Sequence, residues 1–173
     1  MQDVPTTQDP GAGQWLIDPG KSSIGFRTKN FIGMKIEGYF TEINGAVEIA
    51  DSDVDSSIQV SIPVTGVDTG SRMRDRDLLK KSVFAADQWP NIGFESTDIR
   101  HGSDSQFTVT GNLRVRDRTK TVEVTAREAQ SGPGERHYTA TSRVNPRDFG
   151  ITHPFIRRDV EVSIDVWLER ADG

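Results

Sequence analysis

Apolar side chains recur at every second position through most of this chain. The cleanest run is the last one, where Val160, Val162, Ile164, Val166 and Leu168 alternate with Glu161, Ser163, Asp165, Trp167 and Glu169. A period of two gives one apolar face and one wetter face, the pattern of an antiparallel strand laid over a core. The same pattern places Trp15 and Ile17 on one strand, and Ile24, Phe26 and Thr28 on the next. It continues through Ile58–Val64, Ile92 and Phe94, Phe107–Val115, Val122–Ala126 and Tyr138–Val144. Turns rich in Asp and Gly, such as 51–53 and 131–134, separate these runs, so the pattern predicts about eight strands.

Two segments depart from simple alternation. Met34, Ile36, Gly38 and Phe40 hold even positions, whereas Ile43, Gly45, Val47 and Ile49 hold odd ones. A strand cannot change faces without an extra residue, so a bulge or sharp bend is expected near Thr41 and Glu42, where a barrel strand turns a corner. Ser71–Lys81 lacks β-branched residues, is rich in helix formers and begins with a Ser suited to an N-cap, which predicts the single substantial helix. The irregular stretch 82–90 follows it with two large aromatics, Phe84 and Trp89. Together they would form a lid over one opening.

The expected fold is therefore all-β: an eight-stranded antiparallel barrel, with one helix and an aromatic loop over an opening. Closing the sheet removes its edges and leaves an interior that holds packed side chains or one small ligand. Small residues at inward positions, Gly25 or its neighbours, Gly38, Gly45, Gly111 and Ala140, favour space inside, although bends or close strand contacts are the commoner reading of such glycines.

Composition narrows the function classes. The 173 residues fit one domain, taken as a flexible tail over 1–13 and a barrel over 14–171. The hydrophobic share of 34% is spread in alternation, with no apolar run of membrane length, so no transmembrane segment is expected. A net charge of −5 speaks against nucleic acid as a partner. There is no cysteine, hence no disulfide framework. The N-terminal residues lack both a basic and an apolar signal region, which sets cytoplasmic as the expectation, or periplasmic or secreted if a signal was removed.

Catalytic chemistry has little support. His101, His137 and His153 are far apart and show no metal-ligand spacing. Asp148-Phe149-Gly150 lacks every companion of the kinase metal-binding motif, so Gly150 reads as a tight turn braced by Asp148. Neither a cofactor nor a metal is expected.

Six short segments, in order, carry a resemblance. They are Trp15-Leu16-Ile17-Asp18-Pro19 with Ser22; Gly38-Tyr39-Phe40 with Gly45; Asp77 through Phe84; Trp89 through Thr97; Gly111-Asn112-Leu113 with Arg118-Thr119-Lys120; and Arg147 through Ile151. In this order the chain resembles the YceI-like family of lipocalin-like, polyisoprenoid-binding proteins from Trp15 to Leu168. Asp77 stands where family members often have His, and Ala85 where they often have a second aromatic. The resemblance implies an extended, lipocalin-like barrel whose apolar tunnel takes up an isoprenoid lipid, a quinone or polyprenyl derivative, or a similar long-chain amphiphile, as carrier or store; with no catalytic motif in the chain, no enzyme is expected. It also fits a homodimer.

The candidates for lining such a tunnel are Phe26, Met34, Ile36, Phe40, Phe84, Trp89, Phe94, Phe149, Ile151 and Phe155. Each reads at least as readily as ordinary core. Met34 has the flexible thioether that adapts to a variable chain. Arg72, Arg74 and Arg76, with Arg157 and Arg158, are candidates for a headgroup, against the reading of a solvated surface balanced by Asp75 and Asp77. Two other functions stand beside the carrier. One is a filled barrel serving as a protein-interaction or stress-related module without a lipid. The other is an enzyme acting on a bound amphiphile, with His153 or Asp148 inside.

Overall fold

The computed structural model describes residues 12–29, 32–50, 55–103, 105–152 and 159–171. The alternating runs become β1 (Gly13–Ile17), β2 (Ser23–Lys29), β3 (Lys35–Phe40), β4 (Asn44–Ile49), β5 (Ser57–Pro63) and β6 (Val67–Asp68). After α1 (Arg72–Leu78), the single α-helix among the described residues, come β7 (Asn91–His101), β8 (Gln106–Val115), β9 (Arg118–Gly132), β10 (Glu135–Val144) and β11 (Val160–Arg170). Eight of them close a ring in the order β1-β4-β5-β7-β8-β9-β10-β11, and the β1–β11 pairing seals it. Every pair is antiparallel, which is what side chains alternating between inside and outside require.

The strand β11 explains the three remaining strands. One of its edges is used twice: Leu168–Arg170 pair with β1, and Glu161–Asp165 pair with β2. Beyond β2 the sheet continues through β3 to β6, a flap that leaves the ring where β1 ends. The expected break between β3 and β4 falls over residues 41–43, where the Thr41 amide bonds to the Gly66 carbonyl at 2.9 Å. It is this bend that lets β3 join the flap while β4 joins the ring.

Several boundaries differ from the sequence reading. The 11 residues before Ala12 lie outside the described part, and Gly13, assigned to the tail, already pairs with Ile49. The turn at 51–53 also lies outside it. The helix ends at Leu78 rather than Lys81, although Ser71 caps it as expected, its hydroxyl accepting from the Arg74 amide at 3.3 Å. The chain folds back after Leu79 through bonds from the Val83 and Ala85 amides to the Lys80 carbonyl. That reversal buries Val83 and Ala85, and burial outweighs the helix-forming tendency of the lysines.

The packed core joins Ile43, Val64, Leu78, Val83, Phe149 and Ile151 to Ile62, Ile92 and Val115, and it continues to Trp15, Ile17 and Leu168 along the β1–β11 seam. The 3-10 turn Pro146–Phe149 supplies Phe149, and its cap is Asn145, whose side chain accepts from the Arg147 amide at 3.0 Å. Asp148, expected as the brace, is exposed. Gly150 does make the tight turn, at φ +76°.

Candidate ligand cavity

Many inward-facing side chains keep part of their surface accessible although they do not face the outside. Val60, Phe94, Leu113, Val122, Val124, Val162, Ile164 and Val166 all do so, and all line one cavity of about 1120 Å³ inside the barrel. Apolar residues on a barrel wall bury their surface against one another when the interior is filled. Here the wall faces space, and nearly all of the wall in the middle of the barrel is hydrocarbon.

Glycines shape that space from the strands. A Cβ at Gly111 would lie 2.5 Å from the Phe94 ring and 2.6 Å from the Glu95 carbonyl, and one at Gly38 would lie 2.6 Å from the Phe26 ring. These glycines are seats for rings that reach into the cavity, which makes the close-contact reading the right one for both. A register shift between Ser96 and Asp98 changes the inward parity of β7 from Ile92 and Phe94 to Ile99 and His101. Strict alternation hides these last two wall residues, because a bulge carries no composition signal of its own.

Of the predicted lining residues, Phe26, Met34, Ile36, Phe40, Phe84, Phe94, Phe149 and Ile151 border the cavity. Phe26, Phe40 and Phe84 form a chain of rings with centroids 5.4 and 5.9 Å apart. Trp89 does not border it: half-buried, it hydrogen-bonds through its amide to the Ala85 carbonyl and follows the loop rather than the wall. Phe155, Arg157, Arg158 and His153 lie outside the described residues.

The headgroup candidates separate. Arg74 lines the cavity and is held by Thr69, with its Nε 3.0 Å from the hydroxyl and its Nη2 2.9 Å from the carbonyl oxygen. Arg72 and Arg76 are exposed on the helix and do not border the cavity. Asp75 is engaged by Thr69, and Asp77 pairs with Lys80 at 2.8 Å, so these two acids are held by Thr69 and Lys80 rather than by the helix arginines they were expected to balance.

A second polar group was missed from the sequence. Near the closed end of the ring, Glu128 on β9 and Arg136 on β10 face the cavity with Tyr138 and His101. Arg136 Nη1 is 3.4 Å from Glu128 Oε2, a buried oxygen that completes no hydrogen bond. Arg136 also lies over the buried Trp15 ring at 5.6 Å, and Arg170 covers that ring at 4.8 Å. Phe107 bridges Tyr138 and His101, 5.8 Å from each. The alternation of β10 does put Arg136 and Tyr138 on one side, but the turn at 131–134 made that end look like solvent.

Among the described residues no group of three or more His, Asp or Glu could hold a metal ion. His137 is outside the barrel, stacked on Trp167 at 4.0 Å and bonded to Asp165 at 2.8 Å. No helix among the described residues is long and apolar enough to cross a membrane.

Comparison with known proteins agrees with this architecture. Residues 15–168 match the YceI-like domain, and the chain belongs to that family. A UPF0312 protein of Photorhabdus laumondii is 27% identical over 166 residues, covering 91% of this chain and 86% of its own. A UPF0312 protein of Yersinia pestis is 29% identical, over 84% and 79%. The crystal structure of Burkholderia cenocepacia BcnA superposes with a TM-score of 0.80 at 23% identity, covering 87% of this chain and 98% of that one. A polyisoprenoid binding domain from Saccharophagus degradans gives 0.75 at 12% identity, over 90% and 98%.

Proposed function

We propose that this member of the YceI-like family binds an isoprenoid lipid, a quinone or polyprenyl derivative, in its barrel and acts as carrier or store. The observation that carries the reading is the cavity of about 1120 Å³, walled by hydrocarbon through its middle and bordered by polar groups at both ends. The naming of a structurally similar barrel as a polyisoprenoid binding domain supports the same ligand class. Burial of hydrocarbon stabilises a complex by roughly 0.8 kcal/mol per carbon, so a five-carbon isoprene unit contributes about 4 kcal/mol without directional contacts. A repeated apolar chain suits a wall of Val, Ile and Phe. Polar groups are then needed only at the ends.

Of the headgroup candidates, Arg74 is the best placed, since it borders the cavity in a fixed orientation. On this reading the function is binding, with water excluded from the chain and no bond made or broken.

The test is to change the size of the interior without touching its ends. Ala140→Trp, on the inner face of β10, should fill the space and reduce retention of a polyprenyl lipid or a displaceable apolar dye by roughly tenfold or more. Phe94→Ala should widen the cavity and shift the preferred chain length. Folded variants that both retain lipid as the parent does would refute the cavity as the binding site.

A further inference from the structure

Five large apolar side chains are exposed among the described residues, and three of them, Ile32, Met34 and Met73, also border the cavity. Their exposures are 64%, 60% and 74%. Ile32 and Met34 precede β3 in the flap, and Met73 is in the first turn of the helix that follows the flap strand β6. A mouth rimmed with exposed hydrocarbon is costly in water unless something covers it.

The charges around that mouth say what covers it. The chain as a whole is acidic, at −5, but the β2–β3 register sets Lys29 directly opposite Lys35. Like charges facing each other across a strand pair are destabilising on their own. Arg72 and Arg76 add two more exposed cations on the helix beside the rim. Of the neighbouring acids, Asp75 is bonded to Thr69 and Asp77 pairs with Lys80, while Glu37 lies opposite Arg27, which itself pairs with Glu161 at 3.1 Å.

From this we infer that the flap is a docking surface for an anionic lipid bilayer. Ile32, Met34 and Met73 enter the acyl boundary while Lys29, Lys35, Arg72 and Arg76 meet lipid phosphates. An interfacial apolar face ringed by Lys and Arg is the combination that binds such membranes. A second copy of the chain fits less well, because a two-fold contact through this face sets like charges against like. Docking at the mouth lets a lipid pass between bilayer and cavity without crossing water, so the use of the surface rests on the carrier reading while its physics does not.

The experiment is cosedimentation of the full chain with phosphatidylglycerol/phosphatidylcholine vesicles and with phosphatidylcholine vesicles alone, alongside extraction of bound lipid from the same preparations. The protein should sediment with the anionic vesicles and be released by salt. Met34→Ser with Met73→Ser should weaken binding roughly tenfold or more. Lys35→Gln should weaken it about fivefold. Unchanged circular dichroism melts confirm that the variants fold. Absence of anionic-vesicle binding, or equal binding by the rim variants, overturns the docking surface. So does a dimer in solution that Met73→Ser dissolves, which assigns the rim to a second copy. A protein that carries lipid but ignores vesicles refutes docking alone. One that carries none yet docks through the rim upholds docking and removes the carrier reading.

Discussion

The two ends of the barrel are built on opposite principles. At the closed end, β1 seals the ring against β11, and Trp15 is 1% exposed beneath Arg136 and Arg170. At the flap end, β2 takes the place of β1 on the same edge of β11, the sheet diverges to β3 and β6, and large apolar side chains remain exposed. One end joins its strands into the ring, and the other diverges and leaves hydrocarbon exposed. On the proposed carrier reading a container for an apolar chain needs both, because the closure that stabilises the ring would also block exchange if it were complete.

Trp15→Ala should lower unfolding free energy by about 3–5 kcal/mol, read from the urea midpoint, because the ring is fully buried and its cationic cover would be left over a void. A loss no larger than that of a flap variant would erase the distinction. In mid-barrel, Gly111→Ala should cost roughly 1–3 kcal/mol, since a backbone carbonyl and the Phe94 ring both occupy the space of the new methyl. Glu128→Gln should cost about 1 kcal/mol by removing the charge that faces Arg136, with little change expected for the flap. Met73→Ser should change stability by less than about 0.5 kcal/mol, so that any loss of lipid exchange in this variant is a functional effect. Lys21→Met is the smallest. The Glu135 carboxylate, 2.6 Å away, holds the Lys21 ammonium above its ordinary value by hydrogen bond and charge. Any stability this adds is present at lower pH and lost only above the usual lysine range, and for so exposed a pair no change in thermal midpoint is expected at neutral pH.

How much of this was legible in the sequence differs between the same two regions. The ring was legible because burial of one face per strand writes itself directly into alternation, as in β8 and β11. The bend between β3 and β4 was legible for the same reason, through the change of parity at Thr41 and Glu42. The inner wall beyond Ser96 was not, since a bulge moves the parity without marking the residue that does it. Trp89 misled because aromatic bulk in a loop has the same composition whether it faces a cavity or the loop itself. The Glu128–Arg136 pair was hidden by chemistry: a charged residue near a turn reads as solvated, and only the β9–β10 register shows that the pair faces inward. The three-residue rim was half visible, in that Met34 stood out as adaptable. Its partners Ile32 and Met73 come to it only through the flap, a long-range arrangement that no local pattern encodes.

The central claim is that the cavity holds an isoprenoid lipid, and native mass spectrometry of freshly purified protein, followed by organic extraction, tests it most directly. A one-to-one adduct released as a quinone or polyprenyl species is the predicted result. A bare protein mass that stays unchanged when both lipid classes are offered would contradict it.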